Sequence, residues 1–380
     1  MRLVVTVVLV AGCGFKPTAS QSTTRDAGFD AAPDTAVRED GCSPFSTLFD
    51  TCTMASGGDD VMIAGAADYS TSNNTLVIGA STTHPRHVLV ATPEGMIDVL
   101  IANTFSLTGK LRVHGTNTFG IAAENGITLD GVVDLTDAGA GARTDALCGA
   151  TVGMSGKMMS SHGGGGGGGA FAGTGGIGMD STTTNATGGA GGAAIAMPSD
   201  GLLGGCDGGK GGDGGGPGTA GEAGDGGGAI LLATAGTLTL TPNGVVNVGG
   251  GGGHGGNKNG GAGGGASAGM IVIEASVLQN AGAIAANGGG GGEGGDTGPA
   301  PGMSGQTGQP SAARALGGSS STAGGGAGAL GGAATTPNGD DDTTAQANGG
   351  GGGGGGGAGF IAIARATPNG VISPPAMPWP

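Results

Sequence analysis

The chain has few aromatic and few charged residues, and both shortages limit what it can bind. Aromatic side chains make up 3% of its 380 residues and charged side chains 11%, whereas an average protein has about 25% charged residues. Thirteen Lys and Arg stand against 28 Asp and Glu, which gives a formal net charge of −15, and the cations are scattered. Because nucleic acid and anionic lipid are bound through clustered cations, the sequence excludes nucleic acid and disfavours anionic lipid headgroups.

Long apolar runs and helix-period patterns are missing as well. A largely apolar segment lies at the start, in "MRLVVTVVLVAGC", where Arg2 precedes Leu3 to Val10 and small residues follow. This run is too short for a permanent transmembrane helix, and its layout is typical of a secretory signal. No later stretch of useful length has the 3.6-residue period of an amphipathic helix.

The end of this apolar segment, Val10-Ala11-Gly12-Cys13, resembles a bacterial lipobox. In that family the cysteine thiol is acylated with diacylglycerol and the chain is cut just before it. The resemblance implies a lipoprotein signal peptide at 1–12 and a lipidated Cys13 that anchors the exported chain to a membrane. The alternative is a plain signal peptide followed by an incidental cysteine.

Cysteine is scarce, and its number is informative. The chain has five cysteines, and removing a lipidated Cys13 leaves Cys42, Cys52, Cys148 and Cys206, an even number as expected of an exported protein. Four cysteines allow three pairings; the short separation favours Cys42–Cys52, which leaves Cys148–Cys206. No C-x₂₋₄-C spacing exists, so the sequence predicts no zinc site.

The rest of the chain alternates between two kinds of sequence. Polar residues without an apolar period predict a disordered tether, and short β-branched runs broken by Gly, Asn and Pro predict strands. The predicted organisation is a tether at 13–41, a β-rich solenoid part at 42–137, a glycine-rich solenoid with inserted glycine tracts at 138–373, and a proline-rich tail at 374–380.

One strand unit recurs between the glycine tracts. It opens with glycine and an alternating apolar run and continues through a turn into a second short strand, at 228–248, 269–287 and 359–373, and more loosely at 119–135. Units that cannot bury an apolar face alone must stack. The sequence therefore predicts an all-β fold, an elongated parallel β-solenoid or β-helix. Its shared core should contain Ile230, Leu232, Ile271, Ile273, Ile361 and Ile363.

Glycine is the most abundant feature, with 97 residues, and its role has two interpretations. From Gly209 to Gly227 it occupies every third position, and a three-residue helix of polyproline type places such glycines on one edge. Several such helices could bond side by side into a polyglycine-II-like bundle. The alternative is a flexible loop, and for the tract Gly249–Ala268 we expect a loop whose shortening costs little.

The combination of lipobox, glycine tracts and strand units resembles the glycine-rich predicted surface lipoproteins common in myxobacteria, which are loosely PE-PGRS-like. The helical N-terminal module of the mycobacterial PE-PGRS proteins has no match here. The resemblance implies a chain exported and lipid-anchored at the cell envelope, at the outer membrane or cell surface. It implies no chemistry.

Several motifs are weak candidates for chemistry. Asp213 and Asp296 lie in "GGKGGDGGG" and "GGEGGDTGP", which match part of the calcium β-roll repeat. The expected apolar residue two places later is replaced by Gly215 and Gly298, and the motifs are not in tandem. We therefore expect solvated aspartates and no cofactor, with calcium as the weak alternative.

Catalytic and surface patterns are no stronger. Asp130 and Asp134 could form a carboxylate pair on one strand, but outward strand positions are polar by rule and sugar-cleaving clefts usually need stacking aromatics. The five histidines, His84, His87, His114, His162 and His254, show no metal or triad spacing, and the last two are expected to be solvated. The stretch "TLTLT" at 237–241 places three threonines on one face, but the other copies carry no matching ladder in sequence.

These observations predict a non-catalytic, lipid-anchored cell-envelope protein with a structural or adhesive role. Its expected contacts are matrix polysaccharide, other cells or other envelope proteins. The alternatives are a β-helix carbohydrate-active enzyme, a polysaccharide lyase or hydrolase, and a passive surface spacer. Clustered carboxylates with Arg or Lys on successive rungs would favour the enzyme, and a uniformly small, neutral surface would favour adhesion.

Overall fold

A computed structural model describes residues 43–53, 59–181, 186–298, 300–319, 324–342, 348–364 and 370–379. The signal peptide, Cys13, the tether and Cys42 lie outside the described residues. The described residues from Pro44 onward belong to one compact unit.

Regular secondary structure is nearly all β. Within the described residues it comprises eighteen strands, the short helix α1 (Asp145–Cys148) and two 3₁₀ turns (Thr51–Thr53 and Gly149–Thr151). The strands are β1 Val61–Ile63, β2 Ala66–Ser70, β3 Thr75–Ile78, β4 Ser81–Thr83, β5 His87–Thr92, β6 Gly95–Leu107, β7 Lys110–His114, β8 Thr118–Leu129, β9 Val132–Asp134, β10 Met158–Met159, β11 His162–Gly163, β12 Ile230–Leu240, β13 Val245–Asn247, β14 Met270–Asn280, β15 Ala283–Ala285, β16 Phe360–Ala364, β17 Val371–Ser373 and β18 Met377–Pro378.

Two sheets contain all of these strands except the β10–β11 hairpin. Sheet 1 has the order β1-β6-β8-β12-β14-β16-β18, with β5 also pairing with β6, and sheet 2 has the order β17-β15-β13-β9-β7-β2-β3-β4. From β6 to β17 the chain alternates, adding a long strand to sheet 1 and then a short strand to sheet 2. Neighbouring strands in this part are parallel. The prediction of an all-β chain with parallel strands is confirmed.

The apolar core lies between the two sheets. The register places Ile230 opposite Ile271 and Ile271 opposite Ile361, and the same holds two residues later for Leu232, Ile273 and Ile363. All six side chains are buried in one cluster. The predicted shared core of the three strand copies is therefore confirmed, because alternate residues of a strand share a face.

The outer face of sheet 1 is also buried over the first part of its long strands. There a second apolar cluster, which includes Val99, Leu231, Val272 and Trp379, packs against Phe45, Phe49 and Leu203. Glu274, which is 4% exposed, fixes two of the covering segments. Its Oε1 accepts hydrogen bonds from the Thr47 N–H at 2.9 Å and from the Trp379 Nε1–H at 3.1 Å.

In the part that the structure describes, the glycine tracts contain almost no regular strand or helix but are heavily hydrogen-bonded. Within the described residues they form fourteen extended segments, here numbered along the chain: g1 151–157, g2 163–171, g3 173–180, g4 187–195, g5 205–215, g6 219–228, g7 249–257, g8 259–268, g9 287–296, g10 302–308, g11 315–318, g12 324–332, g13 337–342 and g14 349–359.

Hydrogen bonds of segment g2 show a three-residue period. Its N–H groups donate to g8, g1 and g3 in turn, for example from Gly166 to Ala262, from Gly167 to Met154 and from Gly168 to Gly176. Its carbonyl groups accept from g14, g5 and g4 with the same period. Segment g2 is therefore bonded to six neighbours, as a three-residue helix without internal hydrogen bonds can be.

Segments g8, g9 and g14 have six hydrogen-bonded neighbours each in the same way, and the other ten segments have fewer. The ten form a ring around the four interior segments, in the order g1-g5-g6-g7-g10-g11-g12-g13-g3-g4. The bundle thus has an interior made almost entirely of backbone.

The interior explains the longest glycine runs. A Cβ added to Gly165, Gly166 or Gly167 would lie 1.8 Å, 1.9 Å or 2.1 Å from a carbonyl oxygen of three different neighbouring segments. Three successive positions therefore exclude a side chain, which is why 163–169 and 349–357 are unbroken glycine. Ring segments tolerate other residues on their outward edge, as in "TGGAGGA" at 187–193, where Thr187, Ala190 and Ala193 are exposed.

Two expectations about the tracts are settled by this bonding. The 209–227 stretch is ordered: g5 and g6 are antiparallel and bonded to each other, for example from the Gly208 N–H to the Gly224 oxygen. The expectation that Gly249–Ala268 is a dispensable loop is wrong, because this tract supplies ring segment g7 and interior segment g8. Shortening g8 would break hydrogen bonds to six neighbours, a cost that loop-closure entropy does not include.

The predicted Cys148–Cys206 bridge is present, with the two sulfurs 2.07 Å apart. It ties α1 to g5. Cys52 is also disulfide-bonded, and its expected partner, Cys42, lies outside the described residues.

Candidate binding surface

The second part of each long strand in sheet 1 has an outer face that differs from the first. The register of the β6–β8 pairing shifts between Ala102 and Thr104, and that of the β12–β14 pairing shifts between Thr234 and Thr237. Beyond these irregularities Leu107, Leu129 and Leu240 are buried on the inner side. The residues between the inward positions face outward and are exposed or half-buried.

Hydroxyl side chains occupy most of these outward positions. Ser106 lies opposite Thr128, and Thr128 lies opposite Thr239, so three successive rungs carry a hydroxyl in one column. In the neighbouring column Thr104 and Thr237 flank Gly126. We call Thr104, Ser106, Thr128, Thr237 and Thr239 the hydroxyl ladder.

The ladder is a regular grid of small neutral groups. Adjacent rungs of a sheet are about 4.8 Å apart, and residues on one face repeat about every 6.7 Å along a strand. Each hydroxyl can donate one hydrogen bond and accept others. Thr104, at the edge of the grid, already donates to Asp60 Oδ1 at 2.7 Å. Gln279, opposite Thr239, and Val277, opposite Thr237, extend the grid by one rung without adding charge.

The expectation that the other copies carry no ladder matching "TLTLT" holds for β14, where Val277 and Gln279 lie opposite Thr237 and Thr239. It does not hold fully for β8, which supplies Thr128, and the column with Ser106 was not foreseen from the sequence. The pair of Ser106 and Thr128 is hidden because β8 carries one more residue at the bend than β6, so the two strands fall out of register when they are aligned from their starts. In the same way β12 carries one more residue at the bend than β14. Thr241 is not part of the ladder: it follows β12, and its hydroxyl bonds to Asp130. Aligning the strands from their ends would have revealed the column.

The two carboxylates considered for catalysis have different partners. Asp130 accepts hydrogen bonds from Thr241 and Asn243, which lower its pKa. For Asp134, burial opposes ionisation, but the bonds from Lys110, at 2.7 Å, and Thr136 outweigh it and lower the pKa. Both are therefore held as structural carboxylates, and neither is poised as a general acid.

The calcium and histidine candidates are likewise bound into local structure. Asp213 accepts from the Ala220 N–H and Asp296 from the Gly298 N–H. Asp213 is exposed as expected, whereas Asp296 is 8% exposed, so the expectation that it is solvated is wrong. His162 is 9% exposed, so the expectation that it is solvated is wrong, whereas His254 is exposed. In the part of the chain that the structure describes, no three His, Cys, Asp or Glu side chains are grouped to hold a metal ion.

A polar triad centred on a buried aspartate, with a half-buried histidine, was not foreseen from the sequence. Asp98 is fully buried and accepts from the Tyr69 hydroxyl at 2.9 Å, and its other oxygen lies 2.9 Å from His87 Nδ1. Burial raises the pKa of Asp98, although the bonds from Tyr69 and His87 oppose the shift. Since its three members are far apart in sequence, only the pairing of β5 with β6 and the facing of β2 and β6 across the core reveal the triad.

Electrostatic strain is concentrated at Asp207 on g5. Burial raises its pKa to about 6; the N–H of Gly226 opposes the shift, and the nearby Asp225, Asp145 and Asp137 add to it. The folded-state pKa is thus above that of the unfolded chain. This group's contribution to stability is present below about pH 4 and is lost as the pH rises through about 6.

We expect Asp207→Asn to stabilise the protein near pH 7 and to have little effect near pH 4. An asparagine keeps an acceptor for the Gly226 N–H but carries no charge at either pH. The gain in the free energy of unfolding should be at most about 3 kcal/mol and smaller with solvent screening. Thermal melting of both proteins at the two pH values tests this; an equal difference at both would contradict it.

In the described part of the chain, no helix is long and apolar enough to cross a membrane. No family model matches the chain, and neither does any curated protein or solved structure.

Proposed function

We propose that this chain is a non-catalytic, lipid-anchored protein of the cell envelope that adheres to neutral polysaccharide through its hydroxyl ladder. The lipid anchor at Cys13, the signal peptide and the surface location are inferred from the lipobox-like sequence and from the resemblance to glycine-rich lipoproteins. The described residues contribute the binding surface and its scaffold.

The proposed scaffold is a β-solenoid fused to a polyglycine-II-like bundle. Alternation of the chain between two parallel sheets, with one pair of strands added per repeat, supports the solenoid. The three-residue period of the hydrogen bonds supports the bundle. Both parts are bonded across long sequence separations, which favours a stiff support for a flat binding surface.

The neutrality of the ladder is the observation that carries the adhesive role. The hydroxyls of Ser106, Thr128, Thr237 and Thr239 present donors and acceptors without a net charge, which suits a polymer that itself displays hydroxyl groups. Thr104, the fifth, is bonded to the Asp60 carboxylate at the edge of the ladder. A chain of net charge −15 would repel an anionic polysaccharide. The rival enzyme would need opposed carboxylates in a cleft, and Asp130 and Asp134 are instead held by separate partners.

We expect the double variant Thr128→Val/Thr239→Val to bind an insoluble neutral β-glucan at least about tenfold more weakly than wild type, since hydrogen-bonding groups in the centre of the surface are removed. Valine keeps the β-branched shape that suits a strand, so the fold should be unchanged. The measurement is a pull-down isotherm with the β-glucan, with alginate as the anionic comparison.

Thr82→Val is the matched control, because Thr82 is an exposed strand threonine on β4, outside the ladder. It should bind as wild type does. Soluble sugar released from the β-glucan would favour the enzyme, and absence of wild-type binding to any neutral polysaccharide would favour the passive spacer. Equal binding by the ladder variant and wild type would reject the ladder as the surface.

A further inference from the structure

One side of the glycine bundle has an unusual surface. It is formed by ring segments g1, g4 and g3, which are adjacent: g4 bonds to g1 on one flank and to g3 on the other. We call it the g4 face. Its outward residues are Met154 and Lys157 of g1, Thr187, Ala190 and Ala193 of g4, and Thr174, Ile177 and Asp180 of g3, all of which are exposed.

The hydrogen-bond register arranges these residues in rows. The N–H groups of Met154 and Lys157 donate to the oxygens of Ala190 and Thr187. On the other flank Gly178 and Gly175 donate to Gly189 and Gly192. Since both pairs of segments are antiparallel, Met154, Ala190 and Ile177 share one row. Lys157, Thr187 and Asp180 share the next row.

The row of Met154, Ala190 and Ile177 is apolar although it lies on the surface, where a side chain of any kind would fit. Met154 is 60% exposed and Ile177 51% exposed, while alanine between them keeps the centre of the face flat. A polar side chain at either position would cost the bundle nothing, because both point away from its interior. Exposed apolar groups rimmed by polar residues are typical of protein interaction sites.

The row of Lys157, Thr187 and Asp180 gives the two flanks of the face opposite charges. Lys157 is on one flank and Asp180 on the other, with Thr187 between them. Among the residues that the structure describes, no carboxylate lies within ion-pair distance of Lys157. Asp180 accepts from the Gly188 N–H through Oδ1, which fixes its carboxylate at the edge of the face.

We propose that the g4 face binds the g4 face of a second copy of this chain, about a two-fold axis parallel to the segments. Such an axis exchanges the two flanks and keeps each row at its level. Lys157 of each copy then meets Asp180 of the other, Met154 meets Ile177, and Ala190 meets Ala190. A self-complementary patch of this kind is what an isologous dimer requires.

The interface is small, so the dimer is weak. Three short segments offer less than the roughly 800 Å² per partner of a stable complex. Dimer formation should therefore depend on concentration, and the ion pairs should contribute more to specificity than to affinity.

Charge exchange between two variants tests the symmetry directly. Lys157→Glu places two acidic groups in each contact of its homodimer, and Asp180→Lys places two basic groups there. Each variant alone should dimerise at least about tenfold more weakly than wild type. Mixed in equal amounts they should regain dimers, because a heterodimer restores opposite charges at both contacts. Sedimentation equilibrium of the full chain carrying Cys13→Ser, which removes the lipid site, measures this.

Asp59→Lys is the matched control, because Asp59 is exposed and precedes β1 at the edge of sheet 1, outside the glycine bundle. It makes the same change of charge as Asp180→Lys and should dimerise as wild type does. If Asp180→Lys fails to fold, as circular dichroism would show, Lys157→Glu alone remains decisive. Wild-type chain that stays monomeric at the highest soluble concentration, unchanged dimerisation of folded Lys157→Glu, or a mixture no better than its components would each overturn the proposal.

Discussion

Replacing Gly166 with alanine should lower the free energy of unfolding by about 3 kcal/mol or more. The new Cβ would lie 1.9 Å from the carbonyl oxygen of Gly209, which cannot move without breaking its bond to the Gly264 N–H. Gly166 is on interior segment g2, so the disturbance reaches backbone on several sides. A glycine in a loose loop would behave in the opposite way, since alanine there is neutral or slightly stabilising through the unfolded chain.

The matched control is Ala193→Leu, which adds a larger group at an exposed position of ring segment g4. It should change stability by less than about 0.5 kcal/mol, as surface substitutions usually do. Chemical denaturation of dilute protein gives both values, and amide exchange within g2 and g5 locates the effect. A Gly166→Ala variant as stable as wild type would mean that the tracts are not packed as described.

Glycine gives the bundle no side chains to bury, so its stability depends on backbone hydrogen bonds. Amide exchange measures the protection of these bonds directly. Ordering a glycine costs more backbone entropy than ordering any other residue. Hydrogen bonds to six neighbours and dense backbone contacts must offset that cost in g2, g8, g9 and g14. The interior segments should therefore be the slowest-exchanging glycines of the chain, and ring segments such as g4 should exchange faster.

The sequence predicts the strands better than the tracts because the two rest on different kinds of information. Alternation of apolar residues is local, so it was enough to place Ile230, Ile271 and Ile361 in one core. A three-residue helix has no internal hydrogen bonds, so nothing local specifies which segments pair. One local signal does exist for two segments: unbroken glycine at 163–169 and 349–357 marks the interior segments g2 and g14, whereas the interior segment g8 contains Ala262 and carries no such signal.

The candidate surface was hidden for a related reason. The columns of the ladder depend on register, which is interrupted at the bend between β6 and β8 and between β12 and β14, although β8 and β12 pair without a shift. A single extra residue there displaces every later side chain by one position. Thr237 and Thr239 are visible in the sequence, whereas Ser106 and Thr128 gain their significance only from the strands on either side.

The two halves of the architecture are continuous in register. The Gly227 N–H bonds to Ser267 in the bundle, and Ile230 pairs with Ile271 in sheet 1 immediately afterwards. The same continuity links g8 and g14 to β14 and β16. Because the rows of backbone hydrogen bonds continue without a break from bundle to sheet, a loss of order in one part should spread to the other. We therefore expect the compact unit to unfold in one cooperative step.

Replacing Ile271 with alanine tests that continuity and should cost about 2 to 5 kcal/mol, the range for a fully buried isoleucine. Val277→Ala is the control on the same strand, because Val277 is 48% exposed and its truncation should cost little. Unfolding can be followed at Trp379, the single tryptophan, which is buried against sheet 1, while far-UV circular dichroism reports on the whole chain. In Ile271→Ala both signals should shift to lower denaturant together; a fluorescence transition that shifts alone would show that sheet and bundle unfold independently.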